Sequence, residues 1–133
     1  MIGKSLLSIF LITIATFSGL SYGKWSFAAV GTGETNKGTV FYIDLERIRH
    51  IDRQTYFWVL ADYKKPSSTG VLSHKVYMQA ECRKFRFKNI TWSFHEKEMG
   101  KGPGETAKDP NQEWNYPTPD SVNELLLDNA CGA

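Results

Sequence analysis

"SHKVYMQAECRKFRFKNITWSFHE", Ser73 to Glu96, decides the fold. Apolar and polar side chains alternate over its first ten residues. Val76, Met78, Ala80 and Cys82 share one face; Lys75, Tyr77, Gln79, Glu81 and Arg83 share the other. A period of two marks a half-buried strand. The phase then changes: Phe85 and Phe87 are apolar at odd positions, with Lys84, Arg86 and Lys88 at the even ones. A strand cannot move its apolar face without an extra residue or a turn, so a bulge or bend is expected near Arg83 and Lys84. A second switch falls around Asn89, after which Ile90, Trp92 and Phe94 are apolar. Leu72 to Glu96 therefore carries two or three tightly connected strand segments.

Upstream the pattern stays β. Lys24–Val30 reads as a first strand, and the glycines of "GTGETNKG" break it. Gly38–Asp44 is rich in β-branched and aromatic residues and reads as a second. "LERIRHIDRQ" fits a short strand or a turn of helix leading into a hairpin. Thr55–Tyr63, "TYFWVLADY", is apolar at both parities, which predicts a central strand covered on both sides.

Downstream, Lys97–Pro119 is rich in glycine and proline and reads as a long surface loop, with Trp114 and Tyr116 anchoring it to the body. A helix follows. Thr118 suits the N-cap, Pro119 the first helical position, and Asp120 the positive end of the helix dipole. Val122, Leu125, Leu126 and Ala130 form its apolar stripe, and Gly132 ends it.

The first residues predict export. Lys4 precedes an apolar run, Leu6 to about Phe17, that is shorter than the ~20 residues a spanning helix needs. Ser21 and Gly23 offer the small-x-small pattern of a signal-peptidase site. A signal peptide over 1–23 and one domain over 24–133 are expected; a retained membrane anchor is the competing reading. No cysteine sits near the cleavage point, which argues against a lipid anchor. The expected location is periplasmic, secreted or cell-surface.

The 133 residues carry 16 Lys and Arg against 14 Asp and Glu, so no global charge points to nucleic acid. The two cysteines, Cys82 and Cys131, most simply form one disulfide in an exported chain. It would pin the helix to the strand that carries Cys82, with a loop-entropy contribution of roughly 4 kcal/mol. Metal binding by the pair is the alternative, but no histidine lies at ligand spacing.

No catalytic constellation emerges. "MGKGPGE", Met99–Glu105, lacks a Lys-Ser/Thr pair and a following helix, and "GTGETNKGT" has its lysine on the wrong side of the glycine, so neither is a phosphate loop. His50, His74 and His95 share no helical spacing and lie far from both cysteines in sequence, so no metal is assigned. Asp44 with Glu46, and Glu96 with Glu98, read more simply as solvated edge charges than as acid–base pairs. No cofactor is expected. The cluster Arg83, Lys84, Arg86 and Lys88, interleaved with Phe85 and Phe87, suits an acidic protein, a glycan sulfate or single-stranded nucleic acid. Export argues against nucleic acid, and a polar sheet face explains the same alternation.

Four stretches together resemble the surface-adhesin protein E family of Gram-negative bacteria: "FYIDLERI" at Phe41–Ile48, "SHKVYMQAEC" at Ser73–Cys82, "WSFHEKEMGKG" at Trp92–Gly102, and "TPDSVNELLLDNAC" at Thr118–Cys131. The resemblance spans about Trp25 to Cys131. It implies an α+β fold: a single antiparallel β-sheet with a C-terminal helix held to one face by the Cys82–Cys131 bridge. It implies a non-enzymatic adhesive role with a protein partner, such as vitronectin, laminin or plasminogen, and leaves a homodimer open. It places ligand contact on Val76 to about Gly100, with Arg83, Lys84, Arg86 and Lys88 as the binding residues. A periplasmic accessory protein that docks a bacterial partner is the alternative.

Overall fold

The two phase changes in Ser73–Glu96 are a turn and a bulge. The computed structural model describes residues 24–133; the expected signal segment, 1–23, lies outside the described residues. Strand β5, Ser73–Glu81, turns back at Cys82–Phe85 into β6, Arg86–His95. Lys84 N–H donates to the Glu81 carbonyl and Phe85 N–H to the Cys82 carbonyl, both at 3.2 Å. Phe85 takes φ 51°, a left-handed conformation uncommon for a bulky residue. Further along, Tyr77 pairs with Thr91 and Met78 with Asn89, so Ile90 is the extra residue of a β-bulge.

The other strands are β1 (Trp25–Val30), β2 (Val40–Asp44), β3 (Arg49–Ile51), β4 (Gln54–Asp62) and β7 (Gly104–Lys108). All pairings are antiparallel, in a 7-stranded sheet ordered β1-β2-β4-β5-β6-β7, with β3 also paired to β4. Both readings of "LERIRHIDRQ" are realised: Leu45–Arg47 is a 3-10 turn, and β3 joins β4 through Asp52 and Arg53. Both turn residues have positive φ, as a two-residue hairpin demands.

Helix α1, Val122–Cys131, lies against β1, β2 and β4. Ile43, Phe57, Val59, Val76, Met78, Ala80 and Phe87 of the sheet enclose a core with Leu126, Leu127 and Ala130. The disulfide joins Cys82, just past β5, to Cys131 in the last helical turn.

Several expectations are corrected. The helix begins at Val122, capped by Ser121, whose hydroxyl accepts from Glu124 N–H at 3.2 Å. Asp120 at φ 62° cannot continue a right-handed helix, so Thr118 and Pro119 stay outside it. Leu127 replaces Leu125 in the buried stripe, and Leu125 is exposed. The 97–119 segment contains β7, a fully exposed edge strand with no apolar alternation to announce it. Within that segment Trp114 packs back on the body, and Tyr116, though 66% exposed, reaches it through a side-chain hydrogen bond with Arg86. Strand β4 is central, but its second face is covered only around Leu60, beneath the 3-10 turn Glu98–Gly100.

Candidate functional site

The basic cluster surrounds one end of the β5–β6 hairpin. Arg83 and Lys84 occupy the turn and are exposed. The left-handed Phe85 turns its ring against the core, which leaves the cations outside. Arg86 and Lys88 lie on the sheet face away from the helix, opposite Glu81 and Gln79. Glu81 holds the cluster together. Its carboxylate lies 3.1 Å from Arg86 Nη2 and 3.7 Å from Lys84 Nζ, and it accepts from Gln54 Nε2 at 3.3 Å. The Arg86 hydrogen bond is the main reason the Glu81 pKa lies below its usual value. Trp114 lies against Arg86 and Lys88, with Arg86 Cζ and Lys88 Nζ each 4.4 Å from its ring centroid. A bridge from Phe87 to Asn115 fixes Trp114 there. The fold thus draws Lys84, Arg86 and Lys88 into one network around Glu81 and Trp114, and leaves Arg83 at the tip beside Asp52 and Arg53.

The rest of the helix-free face carries aromatic rings that sequence reading did not collect into a site. Tyr56, Trp58 and Tyr77 form a continuous group, with ring centroids 5.9 Å apart for Tyr56–Tyr77 and 4.9 Å for Trp58–Tyr77. Two adjoining concavities flank it, of about 510 and 500 Å³. Arg47 and Trp58 line both and form the ridge between them. Lys75 lines the second, under the turn that carries Met99 and Gly100. Burial and the nearby Arg47 charge lower the Lys75 pKa. The only sequence signal was the set Tyr56, Trp58 and Tyr77 on the second parity of β4 and β5; the strand register unites them.

The turn itself is built from "MGKGPGE". Ser73, fully buried, donates its hydroxyl to the Lys97 carbonyl at 2.6 Å and accepts from Gly100 N–H at 2.8 Å. Asp62 accepts from Met99 N–H at 2.7 Å. Gly100 has φ +64°, and a Cβ there would lie 2.4 Å from Lys75 Cε. The glycine lets the chain cross close over the sheet.

At the other end of the helix-bearing face, His74 lies among Tyr63, Trp92 and Phe94, beside a cavity of about 630 Å³. Tyr63 hydroxyl and His74 Nδ1 are hydrogen-bonded. Burial lowers the His74 pKa to about 4, so the ring is neutral at pH 7. His95 is also lowered, first by burial and then by Lys75. Among the described residues no three His, Cys, Asp or Glu side chains converge on a metal-binding point. None of the described helices is long and apolar enough to cross a membrane.

No curated protein matches the chain. Solved structures of Haemophilus influenzae protein E share its fold. Crystal form II superposes with a TM-score of 0.56 at 18% identity, covering 81% of this chain and 87% of that one. A second protein E structure gives 0.56 at 17% identity, covering 81% and 93%. Protein E from a non-typeable strain gives 0.56 at 18%, covering 80% and 73%. The model of the family described as surface-adhesin protein E matches residues 27–132, and the chain belongs to that family.

Proposed function

We propose that this chain is an exported, non-enzymatic protein-binding module that works as an adhesin. Its docking element is the hairpin end bearing Arg83, Lys84, Arg86 and Lys88. The observation that carries this reading is the mounting of that end: a disulfide ties its base to α1, while Glu81 and Trp114 hold Arg86 and Lys88 in place. A preorganised cationic tip loses little conformational entropy on docking an acidic protein segment. Family resemblance names vitronectin, laminin and plasminogen as the partners to try.

The test is binding of purified protein to each immobilised partner, beside an Arg83→Gln/Lys84→Gln variant. Wild-type binding to at least one, weakened roughly tenfold in the variant, is the result expected for two exposed interfacial charges. Equal binding by both proteins removes the tip from the mechanism.

A second reading, a periplasmic accessory protein docking a bacterial partner, is favoured by the cysteines. Cys82 and Cys131 are bonded to each other, so neither of these two is open to lipid attachment. Fractionation separates the readings: strictly periplasmic protein, never exposed at the surface or released, selects the second.

A further inference from the structure

The helix-free face holds a second place where charge is left unmatched. Trp25 pairs with Asp44 at the β1–β2 edge, and the β2–β4 register stops one residue short, at Ile43–Val59. That sets Trp25, Asp44 and Trp58 in one row across three strands. The two tryptophans are two strands apart, about 10 Å at the usual strand spacing. Both line the concavity of about 500 Å³ that also takes Arg47 and Lys75.

Among the described residues no carboxylate lines this space; Lys101 also lines it, paired to Glu98 at 3.9 Å, and Ser93 and Thr106 contribute hydroxyls to its wall. Asp44 lies 3.4 Å from Arg47 Nε and so steadies one edge of the guanidinium. Asp44 is itself buried, and the oxygen facing that Nε, Oδ2, meets it as an ion pair and has no hydrogen bond among the described residues. Lys75 has no ion-pair partner among the described residues. It is held half-buried beneath Gly100, close enough to Arg47 for the two charges to repel. Two like charges partly removed from water disfavour each other, and an anion placed between them reverses that cost. The site's chemistry is therefore two indole faces, three cations and two hydroxyls; Arg47 pairs with Asp44 and Lys101 with Glu98, and Lys75 is the cation left without an ion-pair partner among the described residues. Indole faces stack on the C–H faces of pyranose rings, and a guanidinium pairs bidentately with a carboxylate or sulfate. Rings set about 10 Å apart suit an extended chain of linked sugars better than one flat heterocycle.

We propose that the groove between Trp25 and Trp58 binds an acidic saccharide, stacked on the two indoles and ion-paired to Arg47 and Lys75. The site stands apart from the hairpin tip and does not depend on the adhesin reading.

The experiment is NMR titration of the purified protein, following its four indole N–H signals, Trp25, Trp58, Trp92 and Trp114. Four probes are used: a heparan sulfate tetrasaccharide, a phosphorylated lipopolysaccharide inner-core oligosaccharide, a neutral tetrasaccharide of cellulose, and inorganic sulfate. The expected result is that at least one acidic saccharide shifts Trp25 and Trp58 and leaves Trp92 and Trp114 in place. The tighter of the two identifies the source, a host matrix chain or the bacterial envelope. Lys75→Gln should weaken that binding at least tenfold, while Arg83→Gln/Lys84→Gln leaves it unchanged. Because wild-type shifts alone locate the ligand, a poorly folded variant does not rescue the idea. Shifts confined to Trp114, equal binding of the neutral sugar, equal binding of sulfate alone, or no binding by either acidic saccharide overturns it.

Discussion

Cys82 and Cys131 stand 5.6 Å apart at Cα, and their bond ties the β5–β6 turn to the last turn of the C-terminal helix. The helix buries only Leu126, Leu127 and Ala130, a narrow stripe for a ten-residue element. The bond closes 49 residues of chain, and loop entropy assigns it about 4 kcal/mol. A Cys82→Ala/Cys131→Ala protein should lose roughly that much unfolding free energy in urea. Its helix amides should lose hydrogen-exchange protection before those of β4 and β5. Loss below 1 kcal/mol would mean that the stripe alone holds the helix.

Ser73 governs a different contact. Its hydroxyl is the one side-chain group that grips the 97–102 turn from both sides, through the Lys97 carbonyl and the Gly100 N–H. Ser73→Ala leaves the buried Gly100 N–H and the part-buried Lys97 carbonyl without that partner, at a cost of about 1–3 kcal/mol. The fold should survive, because β5 keeps its ladder to β4 and β6. Amide exchange at Met99 and Gly100 should rise far more than exchange at Met78. Uniform change across the sheet would refute the local role.

These contacts show where sequence reading ends. The alternation in Val76–Cys82 and its reversal at Phe85 were visible because each strand reports its own faces, and the Ile90 bulge left the same signature. The central place of β4 followed from its apolar run. The helix start was misplaced because Thr118-Pro119 is a good local signal, and nothing nearby reveals that Asp120 takes φ 62°. The competing signal, Ser121 with Glu124 three residues on, was present and is the one used. Strand β7 was unreadable: all five residues are exposed, so only pairing to β6 defines it. The hairpin cations were legible as a run. Their attachment to Trp114 was half legible, because an anchoring role for Trp114 could be read but its partners could not. The groove of Trp25, Trp58, Arg47 and Lys75 was invisible, since its members come from separate strands and a turn and meet only through register.

His74 makes stability depend on acid. The unfolded chain takes up this proton near the ordinary value of 6.5, the folded chain near 4. Between those values the unfolded state binds more protons, so stability falls as pH drops through the window. The difference is at most about 3 kcal/mol, fully expressed below pH 4. His95, also lowered, acts in the same direction. The groups around His74 are Tyr63, Trp92 and Phe94, with Lys37, Lys64, Lys65 and Glu34 lining the adjacent cavity. Urea midpoints at pH 7, 5.5 and 4 should fall steadily for the wild type. They should fall less for His74→Gln, whatever that variant's stability at pH 7. Parallel curves would assign the acid sensitivity to other groups.

The four hairpin cations should divide into two pairs when each is removed. Arg86 and Lys88 lie against Trp114, and Arg86 also pairs with Glu81 where both side chains are less than a fifth exposed. Lys84 reaches Glu81 at 3.7 Å from a largely exposed position, and Arg83 stands exposed in the turn. Exposed ion pairs contribute little, so Arg83→Ala and Lys84→Ala should each change stability by no more than about 0.5 kcal/mol. Arg86→Ala strands the Glu81 carboxylate and strips one cation from Trp114, so its urea midpoint should drop clearly. Trp114→Ala should drop it as well, and the double variant should fall short of the sum, because both changes break the same contact. Additive losses would show that Trp114 and Arg86 act independently. This division also decides how binding data can be read. A binding defect in the Arg83/Lys84 variant reports the surface, whereas one in an Arg86 variant also reports the framework beneath it.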